Sequence, residues 1–344
     1  MSARVTILTG GSTPERDVAL AGAGQVVHAL RERGYRVTVV DTVTGPLDDA
    51  GERRLTTPVG KAPPTAVELE MLRRQERWSA LVEKPALHEA DLVFPVLHGR
   101  QGEGGAVQAI LELADIPFAG SDQLGSAVAM DKDMAKRLFR LADVPTAAWS
   151  LWPATDKSVA HLGLPLVVKP SRVGSTVGLT VVHNLEDLPA AVADALMYDD
   201  QVILERYIDG REYTVGVLNG KALAVGEIIP QHAVFDYECK YTPGMTQEIF
   251  PAEIPETLTR HLQHLAAAVH MALKLRDYSR VDFRVAADGT AYCLEVNTLP
   301  GLTSTSLFPQ SAQAAGIDFG DMCDRICRAG LQRAAREQSR HAGE

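Results

Sequence analysis

The sequence has no excess of positive charge and no long apolar segment. Its 344 residues include 34 Lys or Arg and 44 Asp or Glu, giving a formal net charge of −10. Nucleic acids and anionic membranes bind through clustered positive charge, so we expect neither as a main partner. No run of about 18 apolar residues occurs, so we expect no transmembrane helix. The chain begins with a short strand and a glycine turn, and we expect no signal peptide.

Cysteine is scarce, with four residues in the chain: Cys239, Cys293, Cys323 and Cys327. No metal-type CxxC pair occurs, and this usage is typical of a reduced protein of the cytoplasm. Cys323 and Cys327 are four residues apart on a predicted helix, which indicates ordinary packing. In a regular strand Cys293 would share a face with Glu295, as a neighbour of the site described below rather than a ligand.

The first forty residues predict a βαβ unit in a globular α/β protein. The composition is 46% hydrophobic and 23% charged, and the length suffices for two or three domains. A strand is predicted at 5–8, followed by a glycine turn. Thr13 is the expected helix cap, with Pro14 at the first helical position, and the helix runs to about Arg33. The next strand is predicted at 35–40.

The middle of the chain continues the alternation of strands and helices. A buried strand at 92–99 ends in a glycine loop and leads into a helix, as in an open α/β sheet with ligand loops at the carboxyl ends of its strands. Residues 48–85 look irregular, apart from one helix at 66–78. Further strands are predicted at 164–169, 177–182 as its hairpin partner, 201–207 and 212–217, with helices at 130–145 and 259–275.

A hairpin near the C-terminus carries polar side chains on one face. The Asp-Gly dipeptide at 288–289 predicts a type I′ turn with positive φ at both residues. In that register Asp282 lies opposite Glu295, and Arg280 lies opposite Asn297, all on one face of the hairpin. Two opposed carboxylates repel, and a cation between them would resolve the repulsion.

Asp, Glu and Asn oxygens are the ligands that Mg²⁺ takes, usually together with substrate phosphates. We therefore predict a metal site at Asp282, Glu295 and Asn297, with Arg280 beside it to hold a phosphoryl group. The alternative is a solvent-exposed charge cluster, in which Arg280 pairs with Asp282 and Glu295.

A second loop suggests phosphate binding. KPSRVGSTVG, residues 169–178, lets backbone N–H groups approach a phosphate closely, and Lys169 supplies charge. The GK[ST] order of a Walker A loop is missing, and a serine-rich hairpin turn is the alternative. Residues 236–244, DYECKYTPG, are polar and punctuated by Pro and Gly, which is plausible for a lid that excludes water from a reactive intermediate.

Motifs in a fixed order carry a resemblance to a known family. They are GGSTPERDV, HGRQGEGG, MDK, VKPSRVGSTVG, a Glu-x₆-Glu pair, DYECKY, RVDF and LEVNTLPGLTSTS. Together they resemble the D-alanine–D-alanine ligases, which are ATP-grasp enzymes, over roughly residues 5–330. The resemblance implies three α/β domains, α+β in parts, at 1–125 (the open parallel sheet), 126–212 and 213–344, and a cytoplasmic homodimer.

The resemblance implies ATP and two Mg²⁺ ions, with Mn²⁺ as a substitute. Lys132 and Lys169 would hold the ATP phosphates, and Lys240 in the lid would reach the γ-phosphate. Glu205 and Glu212, which alone read as surface charges, would bind the adenine and ribose. The metal ions would be held by Asp282, Glu295 and Asn297.

The resemblance also implies contacts to two D-alanine molecules. Glu15 would bind the ammonium of the first, and His98 would lie close to it. Ser175 and Tyr241 would complete a hydrogen-bonded set with Glu15. Arg280 and the Gly301 N–H would stabilise the oxyanion, and Ser306 would bind the second carboxylate.

Departures from the family pattern leave the second substrate open. Ala19, Gly104 and Phe235 stand where the family commonly has Ser, Asp and Tyr. Tyr241 favours an amine acceptor over D-lactate. The implied activity is ATP-dependent ligation of two D-alanines through a D-alanyl phosphate, for peptidoglycan precursors. The alternatives are a related ligase that takes D-lactate, D-serine or another amino acid, and a non-catalytic nucleotide-binding homologue.

Overall fold

Three β-sheets lie within the part of the chain that the computed structural model describes, which comprises residues 2–57, 59–60, 64–174, 176–230 and 245–341. In chain order the strands are β1 (Arg4–Thr9), β2 (Arg36–Asp41), β3 (Gly45–Pro46), β4 (Leu92–Pro95), β5 (Trp149–Leu151), β6 (Leu166–Pro170), β7 (Thr180–Val182), β8 (Val202–Arg206), β9 (Gly210–Leu218), β10 (Lys221–Pro230), β11 (Thr246–Ile249), β12 (Tyr278–Ala286) and β13 (Ala291–Asn297).

Helices cover most of the segments between the strands. They are α1 (Arg16–Glu32), α2 (Asp49–Arg53), α3 (Ala66–Gln75), α4 (Pro85–His88), α5 (Gly99–Glu103), α6 (Ala106–Leu113), α7 (Gln123–Met130), α8 (Lys132–Leu141), α9 (Asp156–Leu162), α10 (Leu188–Ala195), α11 (Glu256–Ala272), α12 (Leu307–Ala314) and α13 (Phe319–His341). Residues 48–85 are therefore more regular than expected. Among the described residues, no helix is both long and apolar enough to cross a membrane.

The first sheet confirms the predicted open α/β fold. Its order is β3-β2-β1-β4, and β1 pairs in parallel with both β2 and β4. Only the short edge strand β3 runs antiparallel. Since the carboxyl ends of β1 and β4 lie side by side, the loops that follow them meet at one edge of the sheet.

The second and third sheets are antiparallel and account for the α+β character. Their orders are β5-β8-β6-β7 and β11-β10-β9-β12-β13. The predicted hairpin of β6 and β7 is confirmed, with Val167 paired to Val181. The last helix, α13, packs into the core of the first sheet through Met322 and Ile326.

Two predicted helix starts are wrong. Helix α1 begins at Arg16 rather than Pro14, because the Thr13 carbonyl closes a turn by accepting from the Arg16 N–H at 3.1 Å. The helix predicted from residue 130 begins at Lys132. Asp131 ends α7, and its carboxylate accepts from the Met134 N–H at 3.0 Å, which caps α8.

The C-terminal hairpin keeps the predicted pairs but reaches them differently. Asp282 is opposite Glu295, as predicted, yet Phe283 is opposite Cys293, because a bulge at Leu294 shifts the register by one residue. The type I′ prediction is wrong, since the turn is one residue longer and only Gly289 has a positive φ, 86°. The longer turn shifts the pairing by one residue, and the bulge shifts it back, so the pairs beyond the bulge are those predicted.

The bulge also moves Cys293. Because two residues of β13 oppose one of β12 at this point, Cys293 turns away from Glu295 and lies fully buried in the core behind the sheet. The expectation that it shares the Glu295 face is therefore wrong. Leu294 takes the place beside Glu295 instead.

Candidate active site

Arg280 is held at the centre of the candidate site by Asp282, two residues along β12. Its Nε donates to Asp282 Oδ1 at 2.9 Å, and its Nη2 donates to Oδ2 at 2.7 Å. Thr214 Oγ1 and Asn297 Nδ2 donate to the same carboxylate at 2.7 and 3.1 Å. Burial disfavours the charge on Arg280, but Asp282 raises its pKa above the ordinary value, so the guanidinium stays charged.

Glu295, opposite Asp282, is balanced by a lysine from another part of the fold. Lys132 Nζ lies 3.1 Å from Glu295 Oε2 and donates to the Val173 carbonyl at 2.8 Å. Lys132 therefore connects the hairpin to the glycine-rich loop at 169–178. Its side chain is 7% exposed, which separates it from an ordinary surface lysine.

The residues predicted to hold Mg²⁺ share one face of the hairpin. Two carboxylates and an amide supply hard oxygen donors, so the donor set of Asp282, Glu295 and Asn297 fits that ion. In the described part of the chain no group of three His, Cys, Asp or Glu side chains is placed to hold a metal. Water and phosphate oxygens would supply the remaining ligands. The alternative of a solvent-exposed cluster does not match the burial of Arg280 and Asp282, 14% and 10% exposed.

An inner pocket lies between the second and third sheets. It combines charged groups with apolar walls from Val167, Leu179, Ile208 and Leu294. The charged residues that line the inner pocket are Lys132, Lys169, Glu205, Glu212, Arg280, Asp282, Arg284 and Glu295. The inner pocket thus brings together six of the side chains that the sequence assigned to nucleotide and metal: Lys132, Lys169, Glu205, Glu212, Asp282 and Glu295. Asn297 lines the outer cleft instead, and Lys240 lies outside the described residues.

Glu205 is a buried carboxylate with two lysines. Lys169 Nζ lies 3.3 Å from its Oε1, and Lys136 Nζ lies 3.0 Å from its Oε2. Burial alone would raise the pKa of Glu205, but the two ammonium groups lower it below the ordinary value. The sequence reasoning missed Lys136. Its spacing of four residues from Lys132 on α8 places both on one face of the helix, and that signal could have found it.

Glu212 is paired with Arg284, which the sequence reasoning also missed. Arg284 Nη2 lies 3.4 Å from Glu212 Oε2, and its Nη1 donates to Tyr207 Oη at 3.0 Å. The alternation of side chains along β12 places Arg284 on the same face as Arg280 and Asp282. That period of two was the available signal.

An outer cleft opens between the loops of the first sheet and the loop after β13. The site residues that line it are Glu15, His98, Glu103, Arg280, Glu295, Asn297, Gly301 and Ser306. His98 Nδ1 lies 3.3 Å from Glu103 Oε1, and the Gly99 N–H donates to Glu103 Oε2 at 3.2 Å. Burial raises the pKa of Glu103, against the effect of His98. Glu103 had not been singled out as a site residue.

The loop after β13 is tightly folded around Ser306. The Thr303 N–H donates to Ser306 Oγ at 3.2 Å, and the two hydroxyl oxygens are 2.7 Å apart. A methyl group on Gly301 would lie 2.8 Å from Ser306 Oγ, so a larger residue there would displace the Ser306 hydroxyl.

Ser175, Lys240 and Tyr241 lie outside the described residues, as does Phe235. The start of the loop that precedes Ser175 is anchored by Arg172. Its N–H and Nη2 donate to the Asp199 carboxylate at 2.7 and 2.6 Å.

Two cavities meet at one pair of residues. Arg280 and Glu295 line both the inner pocket and the outer cleft. A group transferred from a molecule in one cavity to a molecule in the other passes these side chains. Arg280 and Glu295 can therefore contact molecules bound in either cavity.

Comparison with known proteins agrees with this geometry. Residues 4–121 match the family described as D-ala D-ala ligase N-terminus, and residues 141–328 match D-ala D-ala ligase C-terminus. A D-alanine–D-alanine ligase of Anaeromyxobacter dehalogenans is 39% identical over 328 residues, which cover 94% of this chain and 95% of that protein. One of Geobacter sulfurreducens is 38% identical over 327 residues, 94% of this chain and 92% of that protein.

Solved structures show the same fold. D-alanine–D-alanine ligase from Bacillus anthracis complexed with ATP has a TM-score of 0.78 at 30% identity, covering 98% of this chain and 99% of that chain. VanG D-Ala:D-Ser ligase from Enterococcus faecalis has a TM-score of 0.79 at 28% identity, covering 96% and 100%. Fold and site together define an ATP-grasp enzyme. Within that class, the chain belongs to the D-alanine–D-alanine ligase family, which confirms the resemblance predicted from the sequence.

Proposed function

We propose that the protein joins two D-alanines at the expense of ATP, through a D-alanyl phosphate, to give D-alanyl-D-alanine, ADP and phosphate. Family membership supports this reaction. The observation that carries it is the position of Arg280 and Glu295 between the inner pocket and the outer cleft. A γ-phosphoryl group in the inner pocket would there meet a carboxylate in the outer cleft.

The inner pocket would hold ATP. Lys132 and Lys169 would contact its phosphates, Glu205 and Glu212 would contact the adenine and ribose, and Lys240 would reach the γ-phosphate. A structurally similar ligase solved in complex with ATP supports ATP as the nucleotide. The lysines offset phosphate charge in a site of low dielectric, where such interactions are strong.

Asp282, Glu295 and Asn297 would hold two Mg²⁺ ions, with Mn²⁺ as a substitute. Held by these side chains, such ions would supply positive charge against the phosphates. Positively charged side chains of the protein already lie against the proposed metal ligands. Arg280 already holds Asp282, and Lys132 already holds Glu295, so the carboxylates are oriented before metal and nucleotide arrive.

The outer cleft would hold both amino acids. Glu15 binds the ammonium of the first D-alanine, beside His98, and a carboxylate oxygen attacks the γ-phosphorus with loss of ADP. Ser306 binds the carboxylate of the second D-alanine, whose free amine attacks the acyl carbon, and phosphate leaves. Arg280 and the Gly301 N–H stabilise the oxyanion of that step.

From the family resemblance, Ser175 and Tyr241 would complete a hydrogen-bonded set with Glu15; both lie outside the described residues. We also infer that the dipeptide enters peptidoglycan precursors in the cytoplasm and that the protein is a homodimer. Both inferences rest on the family, and light scattering of the purified protein tests the second.

ADP release with ATP, Mg²⁺ and D-alanine as the sole amino acid tests the proposal. We expect release, a dipeptide of two D-alanines, and no release with L-alanine. Release that requires added D-serine or D-lactate would assign another second substrate. Nucleotide binding without release under any of these conditions would indicate a non-catalytic homologue.

A further inference from the structure

Arg284 lies at the far end of the inner pocket from the proposed metal site. It follows Arg280 and Asp282 on the same face of β12, and its register partner on β9 is Glu212. The two side chains are nearly equally buried, 12% and 13% exposed. An ion pair at that depth is screened less than a surface pair.

The guanidinium of Arg284 holds two elements at once. Its Nη1 donates to Tyr207 Oη at 3.0 Å and to the Ile208 carbonyl at 3.1 Å, while Nη2 lies 3.4 Å from Glu212 Oε2. The guanidinium carbon is 5.3 Å from the centre of the Tyr207 ring. These contacts come from two nitrogens of the planar guanidinium, a spread that the compact ammonium of a lysine does not reproduce.

Tyr207 and Ile208 belong to the short connection between β8 and β9. Glu205 precedes this connection and Glu212 follows it, so the residues proposed for adenine and ribose lie on its two sides. Arg284 fastens the connection and Glu212 to β12, the strand that carries Asp282. The base-binding and metal-binding parts of the inner pocket are thereby joined through one side chain.

We propose that Arg284 is a positioning residue for the ribose of the nucleotide. It fixes the Glu212 carboxylate in the orientation that accepts the ribose hydroxyls, and it fixes the adjacent Tyr207–Ile208 connection. This inference rests on the proposed function, in which the inner pocket holds ATP. It assigns a role to a residue outside the motifs that carry the family resemblance.

The test compares ADP and 2′-deoxy-ADP binding by calorimetry. In the wild-type protein, loss of the 2′-hydroxyl should weaken binding measurably. Arg284→Met removes the fork but keeps an unbranched side chain, and we expect it to weaken ADP binding about tenfold, the effect of losing one hydrogen bond to a charged group. Because Glu212 is no longer oriented in this variant, the 2′-hydroxyl should contribute less to binding. The ratio of the Kd for 2′-deoxy-ADP to the Kd for ADP should therefore fall towards one.

Arg284→Lys keeps the charge and should fall between wild type and Arg284→Met. If Arg284→Met does not fold, Arg284→Lys is the deciding variant. We then expect a smaller loss of ADP affinity and a smaller effect of removing the 2′-hydroxyl than in the wild type. Arg260→Met, on the exposed face of α11, is the matched control and should leave both affinities unchanged. The KM for D-alanine should stay unchanged in each folded variant.

Unchanged ADP affinity in the folded Arg284 variants would overturn the inference. So would weaker binding with an undiminished penalty for 2′-deoxy-ADP, because that pattern is a general loss of order rather than a loss of ribose positioning. A wild-type protein that binds no ADP would instead contradict the proposed function. The two failures are thus distinguishable.

Discussion

Asp282 and Glu295 are direct partners across two antiparallel strands, and each is met by a cation from a different direction. Arg280 reaches Asp282 along the same strand, and Lys132 reaches Glu295 from the start of α8. Opposed carboxylates destabilise a hairpin unless a charge of the other sign offsets them. The arrangement holds two carboxylates side by side, each with a cation of the protein against it.

Glu295→Ala should abolish ligation while the protein stays folded. The change removes a proposed metal ligand and the charge partner of Lys132. Lys132 keeps its hydrogen bond to the Val173 carbonyl, and the Glu295 side chain itself is 25% exposed, so we expect the fold to persist. We expect the rate of ADP release to fall by at least about 10²–10³-fold, the usual effect of losing one preorganised electrostatic contact.

Steady-state kinetics across a range of Mg²⁺ concentrations, with circular dichroism as the check on folding, measure this effect. Glu253→Ala, at an exposed position before α11, is the control and should keep wild-type activity. Full activity in the folded Glu295→Ala variant would contradict the proposal that the hairpin holds the metal ions.

Lys136→Met should destabilise the protein strongly. Lys136 is fully buried, with its Nζ 3.0 Å from Glu205 Oε2 and 2.5 Å from Thr146 Oγ1. Among the described residues, its loss leaves the buried Glu205 with Lys169 as its one charged partner. Removing one member of a buried ion pair typically costs about 3–5 kcal/mol, which urea unfolding at neutral pH would measure.

A double-mutant cycle separates the ion pair from simple packing. Glu205→Gln in the Lys136→Met background removes the uncompensated charge, so the two costs should not add. We expect a coupling of about 0.5–3 kcal/mol, as for residues in one network. Strictly additive losses would show that Lys136 and Glu205 do not depend on each other.

His270 should make folding stability fall in mild acid. It is buried in α11, with its Nδ1 2.8 Å from Ser279 Oγ, and burial lowers its pKa from 6.5 to about 4. The unfolded chain therefore takes up a proton at a higher pH than the folded protein does. The contribution is complete above pH 6.5 and is lost as the pH falls through about 4. It amounts to at most about 3 kcal/mol.

Urea unfolding at several pH values between 7.5 and 4.5 tests this effect. Gln does not titrate, so His270→Gln should flatten the plot of the free energy of unfolding against pH. The comparison uses this slope and not the stability at neutral pH. His264→Gln, at an exposed position on the same helix, is the matched substitution against which the His270→Gln slope is compared. Equal slopes for the wild type and His270→Gln would contradict the assignment.

Cys293 should resist alkylation in the native protein, with or without Mg²⁺ and ADP. It is fully buried behind β13, and burial raises the pKa of its thiol well above 9. Burial raises the pKa of Cys323 to about 12, so that thiol should be slow as well. Peptide mass spectrometry after iodoacetamide treatment measures this. Rapid labelling that ADP suppresses would place Cys293 on the Glu295 face and contradict the bulge.

The polar pairs of the hairpin could be predicted because strand alternation and a glycine turn leave few registers. The bulge at Leu294 could not, since an extra residue in a strand leaves no mark on the pattern of side chains. The predicted turn was one residue too short, and the bulge compensated for it. The correct pairs at Asp282 and Arg280 therefore rest partly on two offsetting differences.

The buried charges were harder to predict than the motifs. Lys136 and Arg284 look like surface residues in the sequence, because burial depends on the packing of α8 and β12 against distant strands. Glu205 and Glu212 read as surface charges for the same reason, until the family resemblance assigned them roles. Periodicity places a residue on a face, whereas only the tertiary fold decides what covers that face.

Oxygen transfer tests the central claim most directly. D-alanine labelled with ¹⁸O in its carboxylate is incubated with the protein, ATP and Mg²⁺, and the inorganic phosphate is analysed by mass spectrometry. An acyl phosphate forms through a carboxylate oxygen, which then leaves with the phosphate, so we predict one labelled oxygen per phosphate released. Dipeptide formed alongside unlabelled phosphate would contradict the account.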